Sequence, residues 1–525
     1  MPSLFAPAGL MVSVRLFNLG VGLLYVPILI HYFHGEGFGA WAILLASSVA
    51  FSTLEFGMPA TLVKHAAVPL QASDRREASA VRSHVLLILA ASYAAWTPLV
   101  VLGSQPLARL VGLPDTPHLG GAALFEMVFL AVALRGILQT GTYLLYAERR
   151  FRAVAAVYLL QSVGSHGAAI AAAAATQRVD LALFAFWGAQ LIVSGAAFVA
   201  TSARFDPILA TRIEAARLRA LFVHGFKVQV DGWTQVINYQ FDKFVIAAVV
   251  GIYWVSPYEV ANRSVVALRS VPASGVDTFL PAAAATRGSF EDKRLHYLEM
   301  TRLAAFAAVA FMLAPLVASP IFLYSWTGEM GYISRWAFVA LLLGATANVL
   351  TLPARTIVQA EGHAGIQATA SVASALANVP LSLALVYQFG LVGGAIGTSI
   401  AMILGAAVLL VGLHRRLAWP MAPTLRLIGQ FWPSLAIAAV LGILAYLPFD
   451  AWLAEFPRTI RYAKEMRIIP ALIAGVLYAL ALALMMLVQV HRTGLTAGEC
   501  AYLTSRVRFK WFVSYCNRCA GAAPR

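Results

Sequence analysis

Charge is the scarcest commodity in this sequence. Only 12% of its 525 residues are charged, 38 basic and 23 acidic, about half the share of an ordinary soluble chain. With 60% hydrophobic residues and a mean hydropathy of +0.77, there is too little polar side chain to cover a water-facing surface, which excludes a set of soluble domains. Three cysteines exclude a disulfide framework. No Gly-x-x-x-x-Gly-Lys-Ser/Thr run is present, so nothing points to a nucleotide-driven pump. Long polar loops are missing too: the longest outer connection, 448–467, has about 20 residues, and no connection is large enough to be a domain. The formal charge is nevertheless +15. On a soluble protein that excess would suggest nucleic acid, but here it first reports which side of a membrane the charges occupy.

What is present is apolar sequence in lengths of about 20 residues, enough to cross a bilayer as helix. Fourteen such segments run over 9–32, 37–63, 85–107, 121–147, 154–176, 181–202, 221–251, 253–284, 301–324, 336–360, 366–389, 391–413, 429–447 and 468–490. The expected fold class is therefore an all-α polytopic membrane protein. Arg15 and Asn18 interrupt the first segment and no small-residue cleavage site follows it, so it reads as a retained helix. With the N-terminus in the cytoplasm, 24 of the 38 basic residues fall in inner loops or the tail and seven in outer loops. The positive-inside rule then sets both termini in the cytoplasm.

The halves of the chain echo each other. Ala147-Glu148 and Ala360-Glu361 each end a segment at an inner turn, 213 residues apart, and Glu55-Phe-Gly-Met-Pro59-Ala60 resembles Asp277-Thr-Phe-Leu-Pro281-Ala282 at an offset of 222. These matches predict two six-helix lobes, 1–203 and 221–416, related by a pseudo-twofold axis along the membrane normal. Residues 204–220 join them as an amphipathic cytoplasmic helix, with Ile208, Leu209, Ile213 and Leu218 on one side and Arg212, Arg217 and Arg219 on the other. Residues 417–490 add two helices, and 491–525 form a basic tail.

Seven basic residues, Arg15, Arg135, Lys227, Lys243, Arg263, Arg269 and Arg355, lie within the segments, with five acids, Glu55, Asp231, Asp242, Glu259 and Asp277. A charge at bilayer depth costs about 2.5–3.5 kcal/mol on insertion scales, so these groups must face protein or a wet cavity. On the eighth segment Glu259, Asn262, Arg263, Val266, Arg269, Ser270 and Asp277 recur at helical spacing; on the seventh, Asp231, Gln235, Asn238 and Asp242 do the same. The first adds Arg15, Asn18 and Gly22, the second Ser48, Ser52 and Glu55, the fourth Arg135, Gln139, Thr142 and Tyr146. Both halves thus aim polar stripes at an interior.

Each charge has a bland reading beside the functional one. Lys227 and Arg355 lie near inner helix ends and can snorkel. Lys243 can bridge to Asp242 or Asp231, and Glu259 one turn from Arg263 can neutralise it locally. Arg15, Arg135 and Arg269 are the hardest to explain as structure. Arg15, Asn18, Arg135, Arg263 and Arg269 are the candidate substrate-binding residues; Glu55, Asp231 and Asp277 are candidates for gating or ion coupling. Seven cations against five carboxylates favour an anionic ligand, and arginine suits bidentate phosphate contact. His166 reads as a hydrogen-bonded interior group. The one metal-like spacing, Cys516-Asn-Arg-Cys519 with His491 and Cys500 upstream, lies in a cytoplasmic tail where reduced cysteines are the default, so no metal and no cofactor is expected.

Tyr25-Val-Pro27 followed by Gly35-Glu-Gly-Phe-Gly39-Ala-Trp41, with Leu54-Glu-Phe-Gly57, Phe241-Asp-Lys243 and Tyr258-Glu-Val-Ala-Asn262-Arg263, resembles the polysaccharide or O-antigen flippases of the multidrug/oligosaccharidyl-lipid/polysaccharide exporter superfamily. The resemblance covers roughly residues 9–416. It implies a cationic cavity between two lobes, in which Arg15, Arg135, Arg263 and Arg269 grip the diphosphate or acidic sugars of an undecaprenyl-diphosphate-linked oligosaccharide. That substrate would move from the inner to the outer leaflet of a bacterial inner membrane by alternating access, without chemistry on the substrate. Polysaccharide polymerases or ligases would be partners, membrane lipid the surroundings, and nucleic acid no partner. Many members have twelve helices, whereas fourteen are read here, as in lipid II flippases. A drug/cation antiporter of the same fold would need acids to dominate the cavity. A membrane glycosyltransferase or polymerase would need catalytic groups on a substantial external loop.

Overall fold

The computed structural model describes residues 5–205, 213–277, 290–456 and 465–493, and every regular element among them is helical. In chain order the α-helices are α1 (Phe5–Ser52), α2 (Met58–Gln71), α3 (Arg75–Leu110), α4 (Gly121–Leu138), α5 (Thr140–Ala147), α6 (Phe151–Thr176), α7 (Val179–Ser202), α8 (Ala215–Val249) and α9 (Val255–Asp277). They continue as α10 (Phe290–Ala308), α11 (Ala314–Thr327), α12 (Glu329–Leu350), α13 (Leu352–Ala360), α14 (Ala364–Arg416), α15 (Met421–Gly429), α16 (Trp432–Ala454) and α17 (Ile468–Thr493).

The 48 residues of α1 would make a straight rod of about 72 Å, more than twice the roughly 30 Å hydrocarbon core, so the chain has to turn inside it. It turns at His34 (φ 55°, ψ −163°), where the buried Ser256 hydroxyl donates to the carbonyl of Gly35. The 53 residues of α14 break likewise at Gly390 (φ 58°, ψ −138°). Ten stretches among the described residues are long and apolar enough to cross a membrane, and two of them, Gly9–Glu55 and Gly365–Arg416, contain these breaks. Counting those two twice, and adding the more polar α8 and α9, is compatible with fourteen crossings.

Several boundaries differ from the sequence reading, each for a local reason. Helix α3 starts at Arg75 because Asp74 caps it, its Oδ1 accepting from the Glu77 amide at 3.0 Å. Arg82 therefore lies inside a helix, buried, donating to Ser202 Oγ with its guanidinium 5.1 Å from the Phe198 ring centre. The second segment ends early: α1 stops at Ser52, a 3-10 turn covers Thr53–Glu55, and Phe56 and Gly57 both adopt left-handed conformations before α2 starts at Met58 with Pro59 in its first turn. The fourth and tenth segments are each interrupted, at Gln139 and Thr351, and resume as the short helices α5 and α13. Glu148 and Glu361 cap these two, and each forms an ion pair, with Arg204 at 3.4 Å and Lys293 at 2.8 Å respectively. Arg217 and Arg219 sit in the opening turns of α8, where Arg217 pairs with Glu77 at 3.1 Å; residues 206–212 of the expected linker lie outside the described residues.

The chain divides into two compact units. The first comprises Met1–Ala267 with Trp336–Leu341 and Ala368–Gly405; the second comprises Leu268–Arg335, Leu342–Gln367 and Ala406–Arg525. In the first, α6 packs against α7 and α1, and its run of Ala, Gly and Ser lets those helices approach closely. In the second, α16 and α17 pack on α11 through Ile321, Tyr324, Phe449, Leu453 and Ala474. A π-helical turn, Val309–Leu313, precedes α11; Pro315 has no N–H to return to it, and the Ala310 carbonyl accepts from Tyr478 of α17 at 3.3 Å.

Where α2 meets α8, Gly57 and Gly225 touch backbone to backbone, and the Gly57 amide donates to Gln229 Oε1 at 2.9 Å. A methyl on Gly57 (φ 67°) would overlap the Gly225 carbonyl and also hold a left-handed conformation costing about 1–2 kcal/mol. Gly57→Ala should lower the melting temperature of the purified protein in detergent. Gly164→Ala, on α6 with open space around its Cα, should leave it unchanged or raise it.

Candidate functional site: an arginine- and amide-lined cavity

Five helices of the first unit converge on one cavity of about 460 Å³. Helix α1 supplies Asn18 and Gly22, α4 Arg135, α6 Tyr158, Gln161, Ser162 and His166, α7 Gln190, and α9 Arg263, with Leu19, Leu23, Val266 and Ala267 as the apolar part of the wall. The volume is in the range of small-molecule sites. Two guanidiniums reach it, and no acid is among the described residues that line it.

The two arginines are held differently. Arg263 stands with its guanidinium 4.9 Å from the Tyr25 ring centre and pairs with Glu259 at 2.5 Å, one turn away on α9. Glu259 also takes Lys243 of α8 at 2.6 Å, so one buried carboxylate serves two cations. Arg135 has no such anchor. Its Nε is buried and finds no protein acceptor, although the guanidinium is within electrostatic reach of Glu55. Glu55 itself accepts from Tyr93 at 3.4 Å.

The amides around them form a network. Gln161 Nε2 donates to Gln139 Oε1 at 2.9 Å and to Ser194 Oγ at 2.8 Å, and Ser194 Oγ donates to Gln139 Oε1 at 3.2 Å. His166 Nδ1 is 2.7 Å from the Ser162 carbonyl, and its ring packs 4.5 Å from that of Tyr25.

Asn18, Arg135 and Arg263 are thus brought together, whereas Arg15 and Arg269 do not line the cavity. Arg15 is exposed on α1, and Arg269 is half-buried on α9 in the second unit. Glu55 sits on the 3-10 turn after α1 instead of a continuous helical stripe. Asp231 belongs to α8 and Asp277 ends α9.

The stripe on the seventh segment does not share one destination. Gln235 lines a second cavity of about 340 Å³ with Ser52, Thr53, Gln229, Tyr239 and Gln240. Asn238 instead accepts from Ser374 at 3.2 Å, and buried Asp242 accepts from Tyr258 at 2.6 Å, Ser382 at 2.5 Å and Thr398. Asp242 is therefore occupied by hydroxyls, and Lys243 pairs with Glu259 in place of the expected Asp242 or Asp231. Gln161 and Gln190 were not singled out from the sequence. Gln161, Ser165 and His166 stand at i, i+4 and i+5 in an alanine-rich helix, which was the available signal.

Residues 35–323, more than half of the chain, match the profile of a family described as polysaccharide biosynthesis protein. The chain belongs to that family. A candidate O-antigen transporter from Shigella flexneri is 22% identical over 391 residues, spanning 71% of this chain and 89% of that one. Among solved structures, the lipid II flippase MurJ in an inward closed conformation superposes with a TM-score of 0.64 at 17% identity, over 90% of this family member and 97% of MurJ. An inward-facing multidrug resistance MATE family transporter of the MOP superfamily gives 0.60 at 16% identity, over 77% and 94%. A MOP superfamily transporter from Pyrococcus furiosus, reported with a binding pocket of reverse polarity, gives 0.55 at 13%, over 78% and 95%. This member of the family is thus an all-α polytopic membrane protein with the fold of those transporters.

Proposed function

We propose that this polysaccharide biosynthesis protein is a flippase that moves an undecaprenyl-diphosphate-linked oligosaccharide from the cytoplasmic to the outer leaflet of a bacterial inner membrane by alternating access. The observation that carries the reading is the cavity lining: two guanidiniums, one without a protein acceptor on its Nε, and no carboxylate among the described lining residues. Arginines at membrane depth suit a diphosphate, whereas an organic cation would be repelled. The MATE likeness is one of fold, and the polarity of the lining favours lipid-linked anion over drug. The related proteins are transporters by name, which favours transport over glycosyl transfer or polymerisation.

In this reading the chain works as two six-helix lobes, 1–203 and 221–416, with 417–490 as an appended pair, both termini cytoplasmic, and polymerases or ligases acting downstream. Arg135, Arg263 and Asn18 hold the head group in the cavity, while Arg15 and Arg269 meet it on entry or exit. Glu55, Asp231 and Asp277 gate or couple the cycle. In cells that depend on this protein for surface polysaccharide, Arg135→Ala and Arg263→Ala should lose polymer at normal protein level, and Arg15→Ala and Arg269→Ala should reduce it. Normal polymer from all four variants would remove the anion cavity from the mechanism.

A further inference from the structure

Beside the two arginines the cavity is lined by three amides, Asn18, Gln161 and Gln190, whose oxygens offer a diphosphate no hydrogen bond. Asn18 Oδ1 and Gln190 Oε1 are buried lining atoms without a protein donor. Amide oxygens accept hydrogen bonds and carry the negative end of the amide dipole, so they disfavour a phosphate and favour an O–H or N–H donor. Arg135 Nε, buried and without an acceptor, asks for the opposite partner. A single ligand satisfying all three carries an anion at one end and hydroxyl or amide donors beside it.

We propose that Asn18 and Gln190 read the first sugar, the ring attached directly to the diphosphate, and so set which lipid-linked glycan this protein accepts. The inference rests on the lipid-diphosphate reading given above. The wall is prearranged for it. Gln161 is fixed by Gln139 and Ser194, and Gln190 is steadied by its own Nε2, 3.4 Å from Ser165 Oγ. Tyr158 and His166 add aromatic side chains to the lining, of the kind that packs on a sugar ring. A cavity of about 460 Å³ accommodates a ligand of the size of one sugar and its diphosphate, so the remaining sugars of a repeat unit lie outside it and are not read. Recognition by buried polar groups discriminates strongly, because the analogue that lacks the matching hydroxyl leaves them unpaired.

The test is lipid binding to the purified full chain in nanodiscs. The probes are polyprenyl diphosphate without sugar, the same lipid carrying glucose, galactose or N-acetylglucosamine, and neutral polyprenol as the blank. At least one glycosylated lipid should bind wild type ten-fold or more tightly than bare polyprenyl diphosphate. Gln190→Leu should erase that preference while the bare lipid still binds, Asn18→Leu should reduce it, and Arg135→Ala should weaken all diphosphate lipids alike. Gln190→Asn, which keeps the amide, should retain part of the preference; Gln190→Met substitutes for the leucine variant if that one does not fold. Absence of any preference in wild type, or a preference that survives the leucine or methionine change at Gln190, overturns the assignment and leaves the flippase reading standing. If wild type binds diphosphate lipids no better than polyprenol, the flippase reading itself falls.

Discussion

Arg135→Ala abolishes surface polysaccharide while the protein accumulates and melts as wild type does: that is the expected result at the centre of the cavity. The two halves of this expectation have separate causes. Hydrogen bonds to a charged group contribute about 1.5–3 kcal/mol, so losing the guanidinium weakens head-group binding by roughly ten- to a hundred-fold. Stability has little to lose, because Arg135 Nε has no protein acceptor and an arginine at bilayer depth costs about 2.5–3.5 kcal/mol on insertion scales. The saved insertion cost is set against the lost attraction to Glu55, so alanine should melt close to arginine, as read by thermal unfolding in detergent. Arg135→Lys keeps the charge and loses the planar fork, and falls between. A variant that lost polymer only in proportion to lost protein would show that Arg135 is structural.

Glu259→Ala has the opposite signature. Its carboxylate stands between Lys243 at 2.6 Å and Arg263 at 2.5 Å, and side-chain exposures of 3% for Glu259 and 5% for Lys243 leave no water to replace it. Removing one partner of a buried pair costs about 3–5 kcal/mol, since the stranded charge stays behind. The variant should express poorly and melt well below wild type. Glu259→Gln, still able to accept from Lys243, should be milder. Adding Lys243→Met to Glu259→Ala should recover part of the loss, because the stranded ammonium is gone; a double variant no better than the single would mean that Lys243 draws its support from elsewhere, such as Gln240 Oε1 at 2.8 Å.

Much of the fold was legible because hydropathy and helix length leave few alternatives in a bilayer. The turn at His34 was marked by Gly35-Glu-Gly-Phe-Gly39, and α6 by its alanine-rich apolar run. What escaped was rotation about helix axes and departures from regular helix. Glu55 reads as part of a polar stripe only if the helix continues; Gly57 followed by Pro59 was the sign that it does not. Lys243 has Asp242 beside it in sequence, yet neighbours on a helix point about 100° apart, so the lysine met Glu259 of α9 while Asp242 met hydroxyls of α14. Within the site, Asn18, Arg135 and Arg263 announced themselves as polar groups too costly to leave in lipid. Gln161 and Gln190 did not, because a neutral amide on an alanine-rich helix costs little to insert and its worth depends on which helices surround it. Counting ions led to Arg135 and Arg263 and could not lead to Gln161 or Gln190.

The central claim is translocation of a lipid-linked anion, and the direct measurement is made in proteoliposomes. A fluorescent polyprenyl-diphosphate sugar is built into both leaflets, and a membrane-impermeant quencher is added outside. Wild type should bring the inner-leaflet lipid out to the quencher over time, with Arg135→Ala indistinguishable from protein-free vesicles. Wild-type vesicles in which half the lipid stays protected, while an organic cation is carried across in exchange for protons, would contradict the account and return the chain to the antiporters whose fold it shares.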